Sequence, residues 1–219
     1  MTAPLHHIPR DLLDAYAAGT LPHAFAVVVA AHVALCDACR AELEAGDMLG
    51  GALIEALPGA DLAPDALTRM MAALDSAAPA LAPVRALVPA PVRASGIFPA
   101  PVMQALNGHP PKWRMLGGGI RQQILDADGD GTLRLLYIPP GRKVPEHGHR
   151  GLELTLVLQG SFSDSLGRFG RGDVESAGDD LDHQPVAGPG APCICLAATD
   201  APLRFQGMIP RLLQPLFRI

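Results

Sequence analysis

Apolar positions in the first third of the chain recur at helical spacing. After Pro9, Leu12, Leu13 and Tyr16 fall on one side of a turn-and-a-half, and Gly19 is placed to stop it. A second helix is predicted from near Pro22, carrying Phe25, Val28, Val29, His32, Val33 and Cys36 along a broad stripe. A third begins around Asp37 and runs into Gly50 and Gly51, and a fourth spans about 64–75 with Leu67, Met70, Met71 and Leu74 on one side. Beyond Trp113 the period changes. Short alternating or apolar runs such as 132–138 and 152–158, separated by Gly, Pro and Asp turns, predict antiparallel strands. The fold class expected is α+β with two domains: a small N-terminal helical bundle and a C-terminal antiparallel β-barrel.

Prolines mark the boundary. Of the 22 prolines many crowd into 77–111, where each removes an amide donor and fixes φ near −65°, so this stretch is expected to be an extended linker. The predicted division is 1–85 helical domain, 86–111 linker and 112–219 barrel. Four helices in so short a segment make a thin core, of the kind that commonly needs a metal or a partner. Hydrophobic residues at 49% suffice for globular packing, while a net charge of −5 offers no general attraction for nucleic-acid phosphates. The longest apolar run, 25–36, is interrupted by His32 and is too short to span a bilayer, and no secretory signal is visible at the N-terminus. A cytoplasmic protein with no membrane or direct nucleic-acid contact is expected.

The cysteines form two pairs. Cys36 and Cys39 are spaced C-x2-C, and His32 lies four residues earlier on a predicted helix, so the three side chains can gather on one face. The pattern fits three ligands of a tetrahedral zinc site, with His6, His7 and His23 as the remaining imidazoles of this half, and a redox pair or buried apolar cysteines as the other reading. Cys193 and Cys195 share one face of a predicted strand. Their Cα atoms should lie about 6.5 to 7 Å apart, awkward for a disulfide, so buried thiols or an oxidisable pair are both open readings.

The strongest pattern is Gly141-x5-His147-x-His149-x3-Glu153-x6-Gly160. If the run is extended, His147, His149 and Glu153 share a parity and project from one face as a metal site wanting a fourth ligand. His183 and the linker residue His109 are the other histidines of this half. Other motifs carry less. Asp126-x-Asp128-x-Asp130-Gly131 opens like a calcium loop but has Tyr137 where the bidentate Glu belongs, so a hairpin turn is expected. The triplet Gly117, Gly118 and Gly119 lacks the Lys and Ser/Thr of a phosphate loop and reads as a turn.

The segment from Gly141 to Gly160 resembles the first cupin motif, which implies a jelly-roll barrel with an internal metal; the second motif is degenerate, with Gly170 in place of proline. Together with His32-x3-Cys36-x2-Cys39 and segments such as Leu116-Gly-Gly-Gly119 and Cys193-Ile-Cys-Leu-Ala-Ala-Thr-Asp, the chain resembles the ChrR family of zinc-dependent anti-sigma factors. That resemblance implies His7, His32, Cys36 and Cys39 as one zinc site and His147, His149, Glu153 and His183 as a second, two zinc ions in all. It further implies an alternative sigma factor as partner in a 1:1 heterodimer, released in response to singlet oxygen or organic peroxide, and no catalytic activity. The alternative from another class is a dioxygenase-like cupin metalloenzyme, since a barrel metal with an open position can activate dioxygen or water.

Overall fold

A computed structural model describes residues 3–75, 92–128, 131–179, 181–202 and 204–205. Helices α1 (Arg10–Ala17), α2 (His23–Val33), α3 (Asp37–Ala56) and α4 (Ala66–Asp75) are followed by a short α5 (Ala100–Ala105). The strands are β1 (Arg114–Gly117), β2 (Ile120–Asp128), β3 (Gly131–Ile138), β4 (His147–Gly148), β5 (Glu153–Gln159) and β6 (Ser161–Ser163), then β7 (Arg168–Gly170), β8 (Val174–Ala177), β9 (Asp182–His183), β10 (Val186–Ala187), β11 (Cys193–Thr199) and β12 (Arg204–Phe205).

Pro9 and Pro22 stand immediately before α1 and α2, where a missing amide costs nothing. Helix α3 runs on through Gly50 and Gly51 rather than stopping there, because an interior glycine weakens a helix by about 1 kcal/mol without ending it. Residues 76–91, which include 86–91 of the expected linker, lie outside the described residues. Its later part is not extended: Pro99 and Pro101 open α5, and Val102, Met103 and Leu106 are buried in the core.

Six strands form one antiparallel sheet in the order β1-β2-β3-β11-β5-β8, and two three-stranded sheets, β10-β6-β7 and β12-β4-β9, stand apart from it. A closed barrel was expected; among the described residues no ladder joins these sheets. Burial on both faces explains the apolar runs of β5 and β11. Leu154, Leu156 and Leu158 pack with Leu133, Leu135, Leu196 and Ala198 against Phe25, Val28 and Val29 of α2. The opposite face carries Ile138, Val157, Cys193 and Cys195, which pack with Phe162, Phe169 and Ala187.

Helix α2 is apolar nearly all round because the sheet, α1 and α5 pack on several of its sides, leaving Ala26, Val27, Ala30 and Val33 half-buried. Each fully buried leucine or valine contributes about 1.5–3 kcal/mol over its exposed state. The residues up to Gly46 and those from Val92 onward form one compact unit, and Asp47–Pro91 forms another. No single described helix is long and apolar enough to cross a membrane.

Candidate metal centres

The first centre forms where α2 ends and α3 begins. His32 lies in the last turn of α2, and Cys36 and Cys39 flank the first turn of α3, so a tight reversal gathers three side chains that the spacing had placed on one continuous face. His7 arrives from the segment before α1. The four donors, His7, His32, Cys36 and Cys39, lie within 4.8 Å of one another. The Nε2 of His32 is 3.3 Å from the Cys39 sulfur, and the Nδ1 of His7 is 3.3 Å from that of Cys36 and 3.5 Å from that of Cys39. His6 points elsewhere, its ring 4.5 Å from that of Phe169.

His32 Nδ1 donates to the Gly172 carbonyl at 2.9 Å, which leaves the Nε2 lone pair facing the thiols. Burial, ahead of every other influence, holds the His32 pKa down to about 4, so the imidazole is neutral and able to ligate at neutral pH. Burial also pushes the Cys39 thiol up to about 11. A thiol so raised becomes a thiolate only beside a cation. Two sulfurs and two imidazole nitrogens in this arrangement fit a zinc-type tetrahedral set.

The His32 shift has a measurable sign. The metal-free folded chain binds fewer protons at His32 than the unfolded chain between the ordinary value of 6.5 and about 4. Stability therefore falls as pH drops through that window. Thermal melts of metal-free protein should show this slope, and His32→Gln should flatten it; an equal slope in the variant would refute the assignment.

The second centre lies among β4, β5 and β9. His147 and His183 pair directly across β4 and β9, and His149 follows in the loop to β5. The run 147–153 is thus not one strand. The ring nitrogens of His147, His149 and His183 nonetheless lie within 4.8 Å of one another, with Nε2 of His183 3.2 Å from Nε2 of both the others. The opposite nitrogens are engaged. His147 Nδ1 donates to the Pro145 carbonyl at 2.8 Å, His183 Nδ1 to Asp164 at 2.7 Å, and His149 Nδ1 is 3.4 Å from Glu153 Oε2. Three Nε2 atoms consequently converge, the donor arrangement that a divalent cation satisfies once it displaces the Nε2 proton of His183.

Glu153 lies beside this group rather than inside it, accepting from the Thr155 hydroxyl at 2.8 Å. Burial lowers the pKa values of His147 and His149. Burial acts the same way on His183, yet Glu175 and Asp164 outweigh it and raise the imidazole to about 9; burial in turn lifts Glu175 to about 7. Asp164 and Glu175 are the members of this site that sequence reasoning missed. Asp164, Glu175 and His183 themselves form a cluster within the same 4.8 Å limit. The only trace in the sequence is an acid at an inward-facing position of β8, between the buried Val174 and Ala177. Cys193 and Cys195 are free, buried and 3.4 Å apart at sulfur.

The ChrR cupin-like domain family matches residues 104–201. The anti-sigma-E factor ChrR of Cereibacter sphaeroides is 51% identical over 216 residues, covering 98% of both chains. A crystal structure of Rhodobacter sphaeroides SigE in complex with the anti-sigma ChrR matches at 49% identity and a TM-score of 0.73, over 89% of this chain and 98% of that one. An RmlC-like cupin protein of Ralstonia eutropha is more distant, at 20% identity over 45% of this chain and 68% of its own, with a TM-score of 0.40. Identity at this level along nearly the whole length places the chain in the ChrR family of anti-sigma factors.

Proposed function

We propose that this protein binds an alternative sigma factor of the extracytoplasmic-function type in a 1:1 complex, keeps it from RNA polymerase, and releases it under singlet-oxygen or organic-peroxide stress in the cytoplasm. Relatives that are an anti-sigma-E factor and an anti-sigma protein bound to SigE support the partner class. Membership of an anti-sigma family sets aside the cupin-enzyme alternative.

The observation that carries the reading is an apolar surface left exposed among the described residues. On the second half of α3 and just past it, Leu49, Leu53 and Leu57 recur every four residues, and α4 presents Leu67, Met70, Met71 and Leu74; each is more than half exposed. Such faces are expensive in water and suit a groove on a partner that buries them. Methionines in the patch provide a surface that adapts its shape.

Residues 1–85 form the inhibitory module and 112–219 the cupin that receives the signal. Zinc fills both centres, held by His7, His32, Cys36 and Cys39 in one and by His147, His149 and His183 with Glu153 in the other. The first, with four protein ligands, serves structure, and the second is closed in the same way once Glu153 takes the fourth position, which suits sensing rather than turnover. The imidazoles of the cupin centre and the buried Cys193 and Cys195 thiols are electron-rich groups that an oxidant small enough to enter the core would modify.

Replacing Leu67 and Met71 together by Asp places two charges on the exposed face of α4. The double variant should bind the sigma factor at least about 100-fold more weakly, as loss of a central hydrophobic anchor does, with unchanged metal content. Undiminished co-purification would show that the partner docks elsewhere.

A further inference from the structure

The helical metal centre borrows part of its surroundings from the cupin. Between β7 and β8 the chain turns through Arg171, Gly172 and Asp173, and this turn contacts both sides of the centre. The Gly172 carbonyl accepts from Nδ1 of His32 at 2.9 Å. One oxygen of Asp173 accepts from the backbone amides of Leu5 at 2.6 Å and His6 at 3.0 Å, while the other accepts from the Gly170 amide at 2.7 Å and lies 3.5 Å from His6 Nδ1. The Val174 amide donates to the His6 carbonyl at 3.1 Å.

Three hydrogen bonds thus tie down the two residues immediately before His7. Gly172 also has to be glycine: its φ is +94°, and a Cβ there would meet the Pro4 ring at 2.9 Å. Of the four donor residues, Cys36 and Cys39 are placed by the junction of α2 and α3, whereas His7 is placed by a segment with no helix or strand of its own.

We propose that the β7–β8 turn is the outer shell of the helical metal centre, with Asp173 as the positioning residue that delivers His7 and Gly172 as the acceptor that fixes the tautomer of His32. The proposal rests on the reading of His7, His32, Cys36 and Cys39 as a metal centre. Asp173 is buried, and its carboxylate uses both oxygens on the backbone, so it acts as a fixed clasp. Two residues further along, Glu175 lies 3.4 Å from Nδ1 of His183, so one short stretch of chain touches both centres. An acidic residue buried in a cupin turn, far in sequence from the helical ligands, thereby governs how firmly those ligands are held.

The test uses the full-length chain loaded with cobalt, without any sigma factor. The sulfur-to-cobalt charge-transfer band reports the Cys36 and Cys39 centre alone, and chelator competition measures its affinity. Asp173→Ala should weaken that centre by about 10- to 100-fold, as losing an outer-shell partner does, while barrel metal content stays the same. Asp173→Asn keeps an oxygen for the Leu5 and His6 amides but sets its NH2 against the Gly170 amide, so it should recover part of the affinity. Unchanged affinity in Asp173→Ala overturns the proposal. So does an asparagine variant as weak as the alanine one, which would assign the effect to general disruption of the turn. Because no sigma factor is present, either failure leaves the anti-sigma reading standing.

Discussion

Serine in place of Cys36 or Cys39 is expected to empty the helical centre and abolish sigma-factor binding. Each thiolate is one of four donors, and losing one should lower metal affinity by well over the ~100-fold that bounds outer-shell changes. Metal binding free energy is here also the free energy that orders the segment before α1 and its junction with α3. A thin independent bundle would unfold outright. Here α2 is buried against the sheet through Phe25, Val28 and Val29, so most helicity should survive while the approach of His7 and the start of α3 loosen. Helix α3 carries Leu49 and Leu53 of the exposed face, which links the lost metal to the lost partner. Metal analysis, circular dichroism and pull-down on the same preparation check this. Full sigma-factor binding in protein proven metal-free at this centre would refute it.

The second large effect is expected at the cupin centre. His147→Ala removes one of three converging nitrogens and should reduce barrel metal to near zero. It touches neither the thiol centre nor the faces of α3 and α4, so inhibition in unstressed cells should persist while release by singlet oxygen or peroxide disappears. Glu153→Ala tests the fourth position: its carboxylate now contacts His149 and Thr155, and a loss of metal equal to that of His147→Ala would make it a direct ligand. Normal induction in a variant lacking the barrel metal would remove that metal from the sensing mechanism and leave Cys193 and Cys195 as the responsive groups.

Much of this architecture was legible in the residue pattern. Prolines 9 and 22 and Gly19 punctuate the first two helices where expected, and the runs 132–138 and 152–158 became β3 and β5 within a residue or so. The donors His32, Cys36 and Cys39 meet as their spacing implies, and His183 joins His147 and His149. Other features were hidden for physical reasons. Helix α5 lay in proline-rich sequence, where two prolines at a helix start look the same as prolines in a linker. Periodicity identified the apolar stripe of α2 but not its occupant, which is a sheet formed more than a hundred residues later. Asp164, Glu175 and Asp173 are single acids in turns or strands, and only tertiary folding turns them toward a histidine or a backbone amide.

The central claim is that this chain captures a sigma factor. Co-expressing the full chain with each alternative sigma factor of its host, followed by purification and transcription with RNA polymerase, tests it most directly. One sigma factor should co-purify at a 1:1 ratio and support transcription only when the chain is omitted. Failure of every sigma factor to co-purify, or transcription undiminished in the presence of the chain, would contradict the account.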